Sequence, residues 1–401
     1  MWEVPISLGG KTTAGKHRKP RMSTRPTWAE ISIPQLLENF RIIREHVAPE
    51  RAIMAIVKAD AYGHGIAEVA PALARAGVDW FGVTAADEGV QLRHLGLTQP
   101  ILLLTGFWEG EQSALTDYDL VPGIYSEDQL ATIEAWGARM GKRIHFHLKV
   151  NTGLGMLGLH WQDVEPFIER YRGMSHVELE GLFEQFAAAE DFTKPQTEEQ
   201  LQRFQSVEQS LARAGVRPRY CHQANSAAIV SRPESWGNMV RPGLLLYGYH
   251  HPVRVREGGP EPAFRTLPVR EILTLKTKVI SVKELPAGTP LGYEGRYVTP
   301  RSSRIATLPA GYADGMSRSL SSRGKVLIRG QFAPIVANIS MDLTLVDVTQ
   351  IEGTRVGDEA ILIGRQDDKA VTAIDLAKSS GTIPHEILCS IGRRVPRRYI
   401  A

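Results

Sequence analysis

The segment Ala55-Ile56-Val57-Lys58-Ala59-Asp60-Ala61-Tyr62-Gly63-His64-Gly65 carries the sharpest chemical signal in the chain, because it sets a primary amine at the end of an apolar run. A lysine in such a place loses hydration, which lowers its pKa and frees an amine able to attack an aldehyde and form a Schiff base. Taken alone, the placement favours a plainer account, in which the stem packs and the head reaches water. Other groups could join it. Tyr293 follows Gly292, Tyr312 lies in Gly311-Tyr312-Ala313-Asp314-Gly315, and Met341 and Asp342 close Ile339-Ser340-Met341-Asp342. Each tyrosine by itself is weak evidence, since a buried phenol with a satisfied hydroxyl is an ordinary core or interface residue. His145, His147 and Lys149 share a strand face by period two, so a metal pair is conceivable, but no third ligand stands at a suggestive spacing and no metal is expected. Gly153-x-Gly155-x-x-Gly158 imitates a dinucleotide fingerprint with Glu178 about twenty residues on. It follows the fifth apolar run of the chain, however, rather than the first strand of a βαβ unit.

Elements that could position these groups alternate regularly. Short apolar runs at 53–57, 80–83, 101–104, 120–124, 144–150, 177–183, 220–221 and 239–240 predict eight strands. Between them, stretches such as 66–76, 126–140 and 198–214 keep an apolar stripe at helical spacing. Strand and helix repeated eight times predict an α/β fold built on a parallel TIM barrel, and Lys58 then sits on the rim where barrel enzymes do chemistry. A Gly/Pro/Glu-rich linker near 258–262 breaks the rhythm, and β-branched segments at 272–282, 305–308, 326–329, 343–348 and 360–363 predict a mostly β second domain. The expected division is a flexible tail over 1–26, a barrel over 27–262 and a C-terminal β domain over 263–401.

Bulk composition narrows the classes. No apolar run approaches the ~20 residues that span a bilayer, so a membrane partner is not expected. Net charge is only +3, with much of the excess in the first two dozen residues, so nucleic acid is not an implied partner either. Two widely separated cysteines, Cys221 and Cys389, and an opening stretch without an apolar signal core predict a cytoplasmic protein.

The run from Val57 to Gly65 resembles the cofactor-binding signature of the alanine racemase family, and the similarity extends from roughly Trp28 to Tyr399. The resemblance implies an eight-stranded barrel with a C-terminal β domain, pyridoxal 5′-phosphate as cofactor, and interconversion of L- and D-alanine that supplies D-alanine for peptidoglycan. Lys58 matches the lysine that holds the cofactor covalently and serves as one acid/base group. Gly292-Tyr293 resembles the position of the opposite base, which in the family reaches the partner subunit's site and so implies a homodimer. Tyr62, Asn225, Ser226, Gly243, Leu244 and His385 match positions around the cofactor phosphate, with His385 standing where the family has tyrosine. Arg241 matches the arginine facing the pyridine nitrogen; a guanidinium stays protonated, so that nitrogen stays unprotonated and side reactions are restrained. Tyr312 and Asp342 match entrance residues, and Met341 the backbone amide that meets the substrate carboxylate.

The chain also departs from the pattern. In Lys149-Val150-Asn151-Thr152-Gly153-Leu154-Gly155-Met156, Lys149 matches a lysine carbamylated in the family, but the arginine it would align is Met156. A thioether cannot donate to a carboxylate, so a contact worth ~1.5–3 kcal/mol is lost. Gln185 replaces a histidine beside the ring. These changes leave a broad-specificity racemase acting on serine or other amino acids, or a non-catalytic cofactor-binding protein, as alternatives.

Overall fold

The structure is a computed structural model that describes residues 25–250, 252–258, 262 and 266–401. The tail expected over 1–26 lies almost wholly outside these residues, as does the centre of the linker expected over 258–262.

The eight predicted barrel strands are present, as β2 (Ala52–Ile56), β3 (Trp80–Val83), β4 (Ile101–Leu103), β5 (Leu120–Ile124), β6 (Ile144–Asn151), β8 (Val177–Phe183), β9 (Tyr220–His222) and β10 (Met239–Val240), with β1 (Thr27–Ser32) and β7 (Leu159–His160) in addition. They pair in parallel in the order β10-β2-β3-β4-β5-β6-β8-β9. The ring is nearly closed: β9 and β10 meet through a bridge between Asn225 and Arg241, where the Arg241 N–H donates to the Ala224 carbonyl at 2.9 Å. These strands are apolar without alternation because both faces are covered, by side chains inside and helices outside. Helix Ile33–Val47 shows how the outer layer forms. Ser32 caps it by accepting from the Gln35 N–H at 3.3 Å, and Leu36, Phe40, Ile43 and Val47 recur at three-to-four spacing on its buried face. Each such side chain stabilises the fold by about 1.5–3 kcal/mol.

Between β6 and β8 the register shifts after Phe146, so that Phe146 faces Leu179 while His147 faces Gly181. A Cβ at Gly181 would lie 2.4 Å from His147 Nδ1. The glycine therefore makes room for a buried imidazole inside the barrel.

The second domain is a strand-rich sheet, as predicted, with two differences. The segment expected as one piece over 272–282 is two strands, Leu273–Lys278 and Ser281–Leu285, at separate places in the sheet. Val279 and Ile280 turn the chain, their N–H groups donating to Asp358 at 2.8 Å and Thr307 at 2.9 Å. Second, β1 pairs antiparallel with Leu273–Lys278 and parallel with Arg397–Ile400, so the chain runs through this sheet before it enters the barrel. No helix among the described residues is long and apolar enough to cross a membrane.

Candidate active site

Strand β2 delivers Lys58, half-buried, to the C-terminal rim of the barrel. The next four residues, Ala59, Asp60, Ala61 and Tyr62, all adopt left-handed backbone with φ between 52° and 55°. For L-residues this costs about 1–2 kcal/mol each, so the turn stores about 4–8 kcal/mol. Surrounding groups hold it there. The Ala59 N–H donates to Glu88 Oε1 at 2.6 Å, the Ile66 N–H to Asp60 Oδ1 at 2.8 Å, and Arg397 grips the Gly63 carbonyl at 3.0 and 3.1 Å. Strain sustained in this way marks a functional position. It aims Lys58 and tucks Tyr62 inward, where its ring stacks on Tyr247 at 4.9 Å and lies 5.6 Å from His385. Burial pushes the Tyr62 phenol well up.

Tyr62 meets the barrel seam. A Cβ at Gly243 would lie 2.6 Å from the Tyr62 hydroxyl, so this close approach needs glycine. Ser226 Oγ accepts from the Gly243 and Leu245 N–H groups at 2.9 and 3.2 Å, and Asn225 caps the following helical turn by accepting from Ala227 and Ala228, both at 3.1 Å. Tyr62, Asn225, Ser226, Gly243, Leu244 and His385 thus gather at one end of the site. Hydroxyls and backbone amides gathered in this way suit a phosphate group.

Arg241, 4% exposed, stands at the same seam, bridged to Asn225. Its Nη1 donates to His222 Nδ1 at 2.9 Å and the His222 carbonyl at 2.6 Å; its Nη2 donates to the Glu184 and Gln223 carbonyls at 2.7 and 3.0 Å and to Gln185 Oε1 at 3.3 Å. Burial lowers this guanidinium to about 10, and Glu184 opposes the shift. His222 lies flat on Phe183, and its Nε2 pairs with His147 Nδ1 at 2.8 Å. Because the arginine donates to His222 Nδ1, the proton on His222 sits on Nε2 and points to His147. Burial lowers both imidazoles, with Arg241 adding to the shift, so both stay neutral. Lys149 donates to the Leu104 carbonyl at 3.1 Å; burial, Arg241 and Lys58 bring its amine down to about 8.

Tyr293, Tyr312, Met341 and Asp342 lie in the second domain, on its exposed surface. Tyr312 and Met341 belong to one cluster, since the Tyr312 and Ala313 N–H groups donate to Ser340 at 3.0 Å and Met341 at 3.1 Å. Asp342 pairs with Arg394 at 2.8 Å, and Arg394 also holds the buried Asp314. The Met341 N–H has no hydrogen-bond partner among the described residues. Tyr293 is 71% exposed, and its side chain makes no hydrogen bond or ring contact among the described residues; in a single chain it does not join the Lys58 cluster. Met156 is 76% exposed. The glycine run 153–158 opens no dinucleotide-binding helix: it folds back into β7, which pairs with the end of β6.

Three residues escaped the sequence reading: Glu184 and His222 around Arg241, and Arg394 beneath the cluster of Tyr312, Met341 and Asp342. A polar residue just past a strand end, as Glu184 is, was the one available signal.

Models of two protein families match the chain, the alanine racemase N-terminal domain over residues 31–251 and the alanine racemase C-terminal domain over 272–399. The chain belongs to the alanine racemase family. An alanine racemase of Halothermothrix orenii is 40% identical over 376 residues, covering 94% of this chain and 97% of that relative. Among solved structures, the alanine racemase of Clostridium difficile 630 superposes with a TM-score of 0.86 at 35% identity, covering 94% of this chain and 96% of that one. That of Bartonella henselae, which carries covalently bound pyridoxal phosphate, gives a TM-score of 0.83 at 30% identity, with 94% and 99% covered.

Proposed function

We propose that this racemase-family chain interconverts L- and D-alanine with pyridoxal 5′-phosphate as cofactor, in the cytoplasm, supplying D-alanine for peptidoglycan. One observation carries the reading: an amine at the barrel rim is followed by a strained left-handed turn that seats the Tyr62 hydroxyl against Gly243, next to the Ser226 hydroxyl and the seam amides. These residues fit the cofactor. Lys58 would hold its aldehyde carbon, Tyr62, Asn225, Ser226, Gly243, Leu244 and His385 its phosphate, and Arg241 its ring nitrogen. The cofactor when bound supplies an electron-withdrawing ring that acidifies the substrate α-hydrogen.

Racemisation needs that proton removed on one face and returned on the other. Lys58 Nζ moves the proton on one face. The partner subunit's Tyr293 moves it on the other, a role supported by the exposure of this phenol and the lack of any side-chain hydrogen bond or ring contact to it among the described residues; a homodimer follows. Arg241 spends Nη1 and Nη2 on neutral acceptors and keeps its protons, so it orients without entering the transfer. The Met341 N–H, unpaired in the chain, receives the substrate carboxylate, with Tyr312 and Asp342 at the entrance. A second reading, racemisation of a wider set of small amino acids including serine, is favoured by the exposed thioether of Met156 where the family has a charged donor.

The test is incubation of the purified protein with L-alanine and cofactor, following optical rotation. Rotation decays to zero for the native chain and persists in Lys58→Ala. Visible absorbance of protein-bound cofactor without loss of rotation would replace the racemase by a carrier.

A further inference from the structure

Of the buried acids the mechanism leaves unused, Asp191 and Asp314 are ion-paired, whereas Glu184 makes no ion pair among the described residues. Glu184 follows β8 and is fully buried. Its carboxyl accepts from the Thr152 hydroxyl and from Gln223 Nε2, the latter at 2.6 Å. Neither donor is charged. The Thr152 hydroxyl is in turn held by Gln200 Nε2 at 3.1 Å, and Arg203 is spent on the Thr152 carbonyl at 2.7 Å. An ionised carboxylate sealed from water needs a counter-charge. The groups facing it are the cation Arg241, at the end of β10, and Glu208, on helix Gln196–Arg213; beyond Arg241 stand neutral His222 and His147 and the amine of Lys149. Arg241 has the complementary problem, since all five of its acceptors are neutral. Gln223 links the two charged groups in place of a direct ion pair: its side-chain amide donates to the Glu184 carboxyl, and its backbone carbonyl accepts from Arg241, as the Glu184 backbone carbonyl also does at 2.7 Å.

We infer that Glu184 is a positioning residue acting through Arg241: its carboxylate neutralises the guanidinium, and its protonation leaves the active site one charge more positive, which disfavours proton uptake by the amines that face it. The inference rests on the racemase reading above. Burial pushes Glu184 up to about 7, against the pull of Thr152, Gln223 and Arg241, so the change falls near neutral pH.

The experiment records the visible absorbance of the cofactor-loaded protein, together with kcat/KM for alanine, from about pH 5.5 to about pH 9. The native protein should show a spectral step and an acid limb with a common midpoint near 7, the value to which burial brings Glu184. Glu184→Gln keeps the shape and removes the charge, so both features should disappear. Thr152→Val removes a hydrogen bond to the ionised form and should raise the midpoint by about one unit. A loaded, active Glu184→Gln variant with the native midpoint would overturn the inference alone, as would a Thr152→Val midpoint that stays put or falls. A chain that binds no cofactor would overturn the functional reading and this inference with it.

Discussion

Gly243→Ala probes the cradle where the backbone most needs a missing side chain. The added methyl carbon would lie 2.6 Å from the Tyr62 hydroxyl and 3.2 Å from its Cζ. That is roughly 0.9 Å inside the ~3.5 Å at which such atoms settle. Tyr62 has little room to give way, with Tyr247 stacked against it at 4.9 Å and that ring pinned by its own hydroxyl, which donates to the Ile56 carbonyl at 2.9 Å. Overpacking of this kind costs about 1–3 kcal/mol. If the strain is relieved by displacing the Tyr62 hydroxyl from the phosphate end, cofactor affinity falls by about 5- to 150-fold. The assay is titration of cofactor-free protein with pyridoxal phosphate, read by absorbance, with Gly173→Ala as control. A Cβ at Gly173, which caps helix Val164–Arg172 with φ −83°, meets only Arg170 O at 3.6 Å. Native affinity in Gly243→Ala, or equal losses in both variants, would refute the placement of the cradle.

Met156→Arg should lower KM for alanine about tenfold or more by restoring a charge-assisted contact; an unchanged or higher KM would mean a reorganised pocket. Tyr293→Phe should cut racemisation by ~10²–10⁴-fold while α-hydrogen exchange with solvent continues at the D-isomer through Lys58; native racemisation would remove Tyr293 from the mechanism. His147 and His222 are held neutral by burial, below their ordinary value of 6.5. As pH falls below that value the unfolded chain binds protons that the folded chain refuses, so stability is lost on acidification; at pH 5 one such histidine costs about 2 kcal/mol. Urea midpoints at pH 7 and pH 5 should therefore differ less in His147→Gln than in the native protein, and an equal difference would show that the imidazole is accessible.

The barrel was legible because buried parallel strands are uninterrupted apolar runs, and each of the eight kept its position within a residue or two. Thr27–Ser32 was not: six residues entering a foreign sheet carry no sign of their distant partners. The rim lysine and the glycine cradle could be read from Val57 to Gly65 and around Arg241, where residue type alone restricts the chemistry. Glu184 could not, because an acid one residue past a strand reads as solvated until barrel closure seals it. Nor could the left-handed turn after Lys58. Ala59 and Ala61 have no intrinsic preference for that backbone, and the contacts that hold the turn include those from Glu88 and Arg397, distant in sequence.

Subunit mixing is the most direct test of a site shared between two copies. Lys58→Ala and Tyr293→Phe proteins, each inactive in racemisation, are unfolded together, refolded and assayed with L-alanine. A mixed dimer concentrates both defects in one site and leaves the other intact, so random pairing should restore about a quarter of native activity. Activity that stays at the level of the separate variants would contradict an amine and a phenol contributed by different subunits.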